Sequence, residues 1–142
     1  FDLIDGEFGF PDVSFNLETQ FIVKASRLNN FMKFRGFIFN VSFLWVDGMA
    51  LFPFILTRKP NPDRILVNHE CIHLRQQIEL GLLLFYLWYF LEYLIRLIQY
   101  RKHFLAYMHI SFEMEAFQNE SNLNYLKERK FWAFLRYISK PD

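Results

Sequence analysis

Asp63-Arg64-Ile65-Leu66-Val67-Asn68-His69-Glu70-Cys71-Ile72-His73 opens the stretch that decides the fold, and the same character continues without a proline to Gln99. Asp63 is a good helix N-cap, because its carboxylate can accept from the first amides that lack an intrahelical partner. From Arg64 to Gln99 there is a single glycine, Gly81, so the pattern predicts one continuous helix about 50 Å long. Within it Leu80–Leu91 is a run of twelve apolar residues. That is short of the roughly 20 that a bilayer requires. Extension to Ile98 gives nineteen residues but takes in Glu92 and Arg96, which stand at i,i+4 and can neutralise each other. Three readings stay open for Leu80–Ile98: a buried core helix, an intramembrane helix with one internal ion pair, or a helix dipping into one leaflet.

Upstream the character changes. Residues 1–62 hold every glycine except Gly81 and every proline except Pro141. Phe15–Lys24 and Phe34–Trp45 are rich in Phe, Val and Ile and suit strands. Asp47-Gly48 signals a hairpin between Val41–Val46 and Met49–Thr57, with Pro53 marking the second run as an edge or bent strand. Arg58–Asp63, with two prolines, is a breaker. Downstream of Tyr100-Arg101-Lys102-His103 the chain must turn. Ser111 is a candidate N-cap for a helix to about Arg129, and Phe131–Ile138 reads as a last aromatic helix. The expected fold is therefore α+β and mostly α: a small N-terminal antiparallel β portion in residues 1–62, then a helical core in residues 63–142, forming one compact domain overall.

His69-Glu70-Cys71-Ile72-His73 is the motif that carries chemistry. Residues four apart on a helix share a face, so both imidazoles can meet one ion. Two neutral imidazole nitrogens supply half of a tetrahedral zinc site. Glu70 is rotated by about 100° from His69, where it can act as a general base on water held by the metal without ligating it. Cys71 faces the other side and reads as packing. The same histidine spacing also serves a helical pair at an interface.

A catalytic zinc site needs a third protein ligand and an open position. Candidates are His103, His109, Glu113, Glu115 and Glu120. Glu113, Ala116 and Glu120 share a helical face, and Ala116 is small enough to let that face approach the first helix. Glu115 points elsewhere, toward solvent. If the long helix continues to Leu97, its end lies about 36 Å beyond His73, and an extended return over residues 98–111 covers at most about 46 Å. Glu113 can reach the metal if Tyr100–Ile110 runs mostly extended.

His69-Glu70-x-x-His73, followed forty residues later by Glu113-Met114-Glu115-Ala116, resembles a gluzincin, the zincin group whose third ligand is a glutamate. Glu113-x-x-Ala116 is similar to the second motif of membrane gluzincins, with Phe117 standing where that motif has an aspartate. More closely, Asn68–Gln77 together with Ile110–Phe117 resembles small uncharacterised bacterial HExxH proteins, over residues 52–138. The resemblance implies a zincin-like fold, Zn2+ held by His69, His73 and Glu113, and Glu70 as catalytic base. By analogy with zincins, Met49–Thr57 is the edge strand that pairs with extended substrate. Tyr107 and His109 are the candidate donors to a developing oxyanion.

Composition sets the remaining bounds. The chain has 142 residues, enough for one domain with its own core. Sixteen basic and fifteen acidic residues nearly cancel, which leaves no electrostatic footprint for nucleic acid. One cysteine excludes an intramolecular disulfide framework. Aromatic residues make up 20%, nineteen of them Phe, and point to membrane contact or a tightly bound partner. A start at Phe1 rather than methionine points to processing or truncation. The expected function is a zinc-dependent peptidase, membrane-associated, acting on a peptide or protein. The alternative is a catalytically inactive zincin-like subunit whose aromatic surface docks into a membrane or envelope protein complex.

Overall fold

The computed structural model describes residues 36–138; the strand expected at Phe15–Lys24 lies outside them. Three short strands come first: β1 (Phe37–Asn40), β2 (Gly48–Leu51) and β3 (Phe54–Thr57). They form a sheet in the order β1-β3-β2. β2 and β3 pair antiparallel, with Ala50 opposite Ile55, whereas β1 runs parallel to β3, with Phe37 opposite Phe54. The sheet is therefore mixed, and the antiparallel expectation holds for one of its two pairings.

The hairpin turn falls at Phe52-Pro53, a cis peptide, not at Asp47-Gly48. Proline has no N–H for a ladder, so the run from Met49 to Thr57 folds back at Pro53 into two strands. Gly48 is needed in β2 for a different reason. A Cβ there would stand 2.5 Å from Glu70 Oε1, so glycine leaves the Glu70 carboxylate in place against the strand. Ala50, Ile55, Cys71 and Leu74 form the core between sheet and helix. Cys71 packs there, as its side of the helix suggested.

The helical part opens with α1 (Arg64–Leu80). Asp63 caps it, its carboxylate accepting from the amides of Ile65 and Leu66. The expected continuous helix ends at Gly81, whose φ of 78° and ψ of 147° suit only glycine. A second helix, α2 (Leu82–Tyr100), starts in a new direction. It brings Phe85 to 6.4 Å from the His73 ring, centroid to centroid, instead of carrying the chain away from it. The extended return from Tyr100 to Ile110 is accordingly absent. A short helix, α3 (His103–Met108), makes the connection.

α4 (Ser111–Asn119) is shorter than the expected Ser111–Arg129 helix. Its N-cap position is Ile110, and the capping group comes from α2: Glu92 accepts from the Ser111 amide at 3.0 Å and from its hydroxyl at 2.6 Å. A carboxylate at that end also suits the helix dipole. The expected Glu92–Arg96 pair forms at 3.4 Å, and Arg96 also donates to the Ile138 carbonyl at 2.7 Å. The described residues end with α5 (Tyr125–Glu128) and a 3-10 turn at Ala133–Tyr137 in place of a Phe131–Ile138 helix. Phe85, Ile110, Phe112 and Phe134 make a second core between α2, α4 and this turn.

α2 is long and apolar enough to cross a membrane, yet only 11% of its apolar window is buried. It is not the buried core helix that its apolar run also allowed.

Candidate metal centre

His69 and His73 stand one turn apart on α1, and the first turn of α4 delivers Glu113 to the same point. Ala116, fully buried, allows this approach of α4. The three side chains are buried together. Nε2 of His69 lies 3.1 Å from Nε2 of His73, and each lies 3.3 Å from Oε2 of Glu113. Three ligands about 2.0 Å from a common centre stand about 3.3 Å apart at the tetrahedral angle. The triangle has the size of one face of a zinc-like coordination tetrahedron.

Hydrogen bonding behind the triangle tests whether these atoms suit a cation. Nδ1 of His73 is 2.8 Å from Oε1 of Gln76. The Gln76 amide can be assigned, because its Nε2 donates to the Phe112 carbonyl at 3.2 Å and to Glu115 Oε2 at 3.1 Å. Its oxygen therefore faces His73, and Nδ1 of His73 must carry the proton. Nδ1 of His69 lies 2.8 Å from Glu120 Oε2 and donates to it by the same logic. Both Nε2 atoms then face each other and a carboxylate oxygen. Glu113 Oε2 meets no donor at hydrogen-bonding geometry among the described residues. Three acceptors converging on one buried point need a positive charge between them; a second proton on His73 supplies it in the metal-free protein, and a divalent metal can take that proton's place, so the donor set fits a metal.

The surroundings lock this arrangement. Tyr89 donates to Glu113 Oε1 at 2.7 Å. Burial opposes charge on Glu113, but His73 and His69 hold it well below the usual carboxylate range. Burial likewise opposes charge on His73, yet Glu113 beside it, with Glu70 and Gln76, raises it to about 9. Burial pushes Glu70 up, partly offset by the two imidazoles. Burial and the Glu113 charge together keep the Tyr107 hydroxyl protonated. Behind Gln76, the fully buried Glu115 is clasped by Arg129 and accepts from Tyr125 at 3.0 Å. Arg129 also reaches Glu79, tying the C-terminal segment to α1.

The triangle opens into a cleft of about 810 Å3. Gly48 and Ala50 of β2, Glu70, Phe85, Tyr89 and Tyr107 are among the residues that line it. Of the expected edge strand Met49–Thr57, only residues 49–51, within β2, lie at the sheet edge; β3 is central. The Ala50 carbonyl is already taken, by Gln77 Nε2 at 2.9 Å and Tyr86 Oη at 3.1 Å.

His69, Glu70, His73, Tyr107 and Glu113 are thus brought together. His109 is not among the residues lining the cleft. α3 ends at Met108, so His109 turns back to the Leu105 carbonyl, 2.7 Å from Nδ1, and stacks on Tyr100. Glu115, expected toward solvent, is fully buried because Arg129 folds over it. Glu120 is not the third ligand but orients His69. Phe117 packs edge-on against the His69 ring at 4.6 Å. His103 lines the cleft with its Nδ1 2.7 Å from Tyr93 Oη. Sequence reasoning missed Gln76 and Tyr89. The i, i+4, i+7 spacing of His69, His73 and Gln76 was a usable signal; Tyr89 lies beyond the Gly81 break and had none.

No protein family, curated protein or solved structure matches the chain.

Proposed function

We propose that the chain is a zinc-dependent peptidase associated with a membrane. The observation that carries this reading is the buried triangle of His69 Nε2, His73 Nε2 and Glu113 Oε2, spaced 3.1 to 3.3 Å apart and open to a cleft that Glu70 also lines. Two nitrogens and one oxygen are the donor set of zinc hydrolases that keep a fourth position open. Bound there, the ion would acidify water and polarise a carbonyl. Glu70 takes the proton of the attacking water and returns it to the leaving amine. Its raised proton affinity suits both halves of that task. Tyr107, which lines the same cleft, offers a protonated hydroxyl to the developing oxyanion. The cleft that Glu70 lines is where the peptide would enter.

Metal analysis of purified protein, paired with Glu70→Gln, tests the reading. Zinc is expected at one per chain in both proteins, with peptide cleavage only in the wild type. Cleavage retained by Glu70→Gln would remove Glu70 as the base. Membrane association is supported by the largely exposed apolar α2. The same exposed surface favours the second reading, an inactive zincin-like subunit of a membrane complex; zinc-loaded protein that cleaves no peptide would support it.

A further inference from the structure

The outer face of α2 is strongly apolar and exposed. Leu83, Leu87, Phe90, Leu91, Ile95 and Ile98 are each more than half exposed. At 100° per residue they fall within an arc of about 140°. The charged residues of α2, Glu92 and Arg96, lie outside that arc and turn toward Ser111 and Ile138. The stripe is widened from one side. Trp88 packs against Phe134 at 5.7 Å, which sets the exposed Phe131, Trp132 and Leu135 beside it. An apolar area this continuous marks an interaction surface.

The rim of that surface identifies the partner. Arg101 and Lys102 follow the end of α2, and Lys130 and Arg136 flank the widened part; all four are exposed. Long basic side chains around an apolar face match lipid tails bordered by anionic headgroups. α2 presents only one lipid-compatible side, since the opposite side carries Tyr89, Glu92 and Arg96 into the polar interior. A helix with one apolar side lies along a bilayer surface rather than crossing it.

This orientation has a consequence for the metal centre. Tyr89 bonds Glu113 from the inner side of α2, so the centre is separated from the lipid-facing stripe by one helix thickness, about 10 Å. A segment buried in the bilayer cannot enter the cleft, whereas a chain leaving the surface reaches it within about three to four extended residues. Phe85, Tyr89 and Tyr93, one turn apart along α2, line the cleft together with Phe104 and Tyr107. They offer an aromatic wall to apolar side chains.

We infer that the chain lies on an anionic bilayer by the outer face of α2, and that its substrates are apolar polypeptide segments anchored at that same surface. The substrate half rests on the peptidase reading. The test uses full-length protein and a Leu87→Glu/Leu91→Glu variant, whose substitutions lie on the exposed stripe away from the cleft. Retained circular dichroism and zinc content establish that the variant is folded. Sedimentation with phosphatidylcholine vesicles, with and without phosphatidylglycerol, reads binding. Cleavage is read with an internally quenched peptide of Leu, Phe and Ala, with and without a myristoyl anchor. Wild-type protein should bind the phosphatidylglycerol vesicles and cleave the anchored peptide at least about tenfold faster than the free one. The variant should lose both the binding and that preference. A variant that stays on vesicles, or a wild type that is a stable dimer without vesicle affinity, overturns the proposal. Equal cleavage of the two peptides overturns its substrate half. Vesicle binding lost in the variant while neither protein cleaves any peptide removes the peptidase reading and leaves the lipid-facing surface standing.

Discussion

Gln76 accepts a hydrogen bond from His73 Nδ1 at 2.8 Å while its amide donates to Glu115 at 3.1 Å. Because Arg129 clasps that same Glu115, the direction of a single amide links the C-terminal segment to the tautomer of an imidazole in the candidate metal centre. Replacing Gln76 with Leu removes the oxygen that holds the proton on Nδ1. Zinc affinity, measured by competition with a chelator, should fall about 10–100-fold. Glu120→Gln should weaken binding through His69 by a similar mechanism. Unchanged affinity in both variants would show that the imidazoles need no such orientation.

The pH dependence of metal uptake follows from His73. In protein stripped of metal, His73 keeps its second proton up to about pH 9, because Glu113 outweighs the cost of burial. Metal must displace that proton. Uptake near pH 7 should therefore release about one proton from His73, and apparent affinity should rise about tenfold per pH unit before levelling near 9. Calorimetry in buffers of different ionisation enthalpy counts the proton directly. For the metal-free fold the sign is opposite. The raised pKa stabilises it fully below the ordinary value of 6.5, and this is lost as pH climbs through about 9.

Gly48→Ala separates positioning of the base from metal binding. The added Cβ would stand 2.5 Å from Glu70 Oε1 and 3.0 Å from Leu66 Cδ1, so the Glu70 carboxylate must swing away. On the peptidase reading, kcat should drop about 100-fold while zinc stoichiometry stays at one. Activity equal to the wild type would mean that the carboxylate has room elsewhere to do the same work.

Gly81→Ala isolates a backbone effect. Nothing lies within 4 Å of a Cβ at this position, so the substitution causes no clash. The φ of 78° with ψ of 147° remains unfavourable for alanine and should cost about 1–3 kcal/mol, read as a lower Tm. Metal affinity should fall along with it, because the turn at Gly81 is what carries Tyr89 back to Glu113.

What was legible in the sequence was what neighbouring residues decide among themselves. The Asp63 cap, the shared face of His69 and His73, the placing of Glu113 in the first turn of a later helix and the Glu92–Arg96 spacing all depend on helical periodicity. Local reasoning failed where a distant group overruled it. Ser111 was a fair cap by type, yet Glu92 fills that role from another helix. Glu115 looked solvated until Arg129 covered it, and His109 seemed near the site because its number is close to Glu113.

The amino-acid sequence by itself determined two imidazoles on one helical face, a carboxylate able to join them and an apolar helix with one ion pair, since each follows from the 3.6-residue repeat. Only the tertiary structure decided that the chain breaks at Gly81, that Tyr89 returns to hold Glu113, and that Gln76 and Glu120 turn both Nε2 atoms inward. Those outcomes depend on a single φ,ψ pair and on contacts between residues far apart in the chain, which no local repeat encodes.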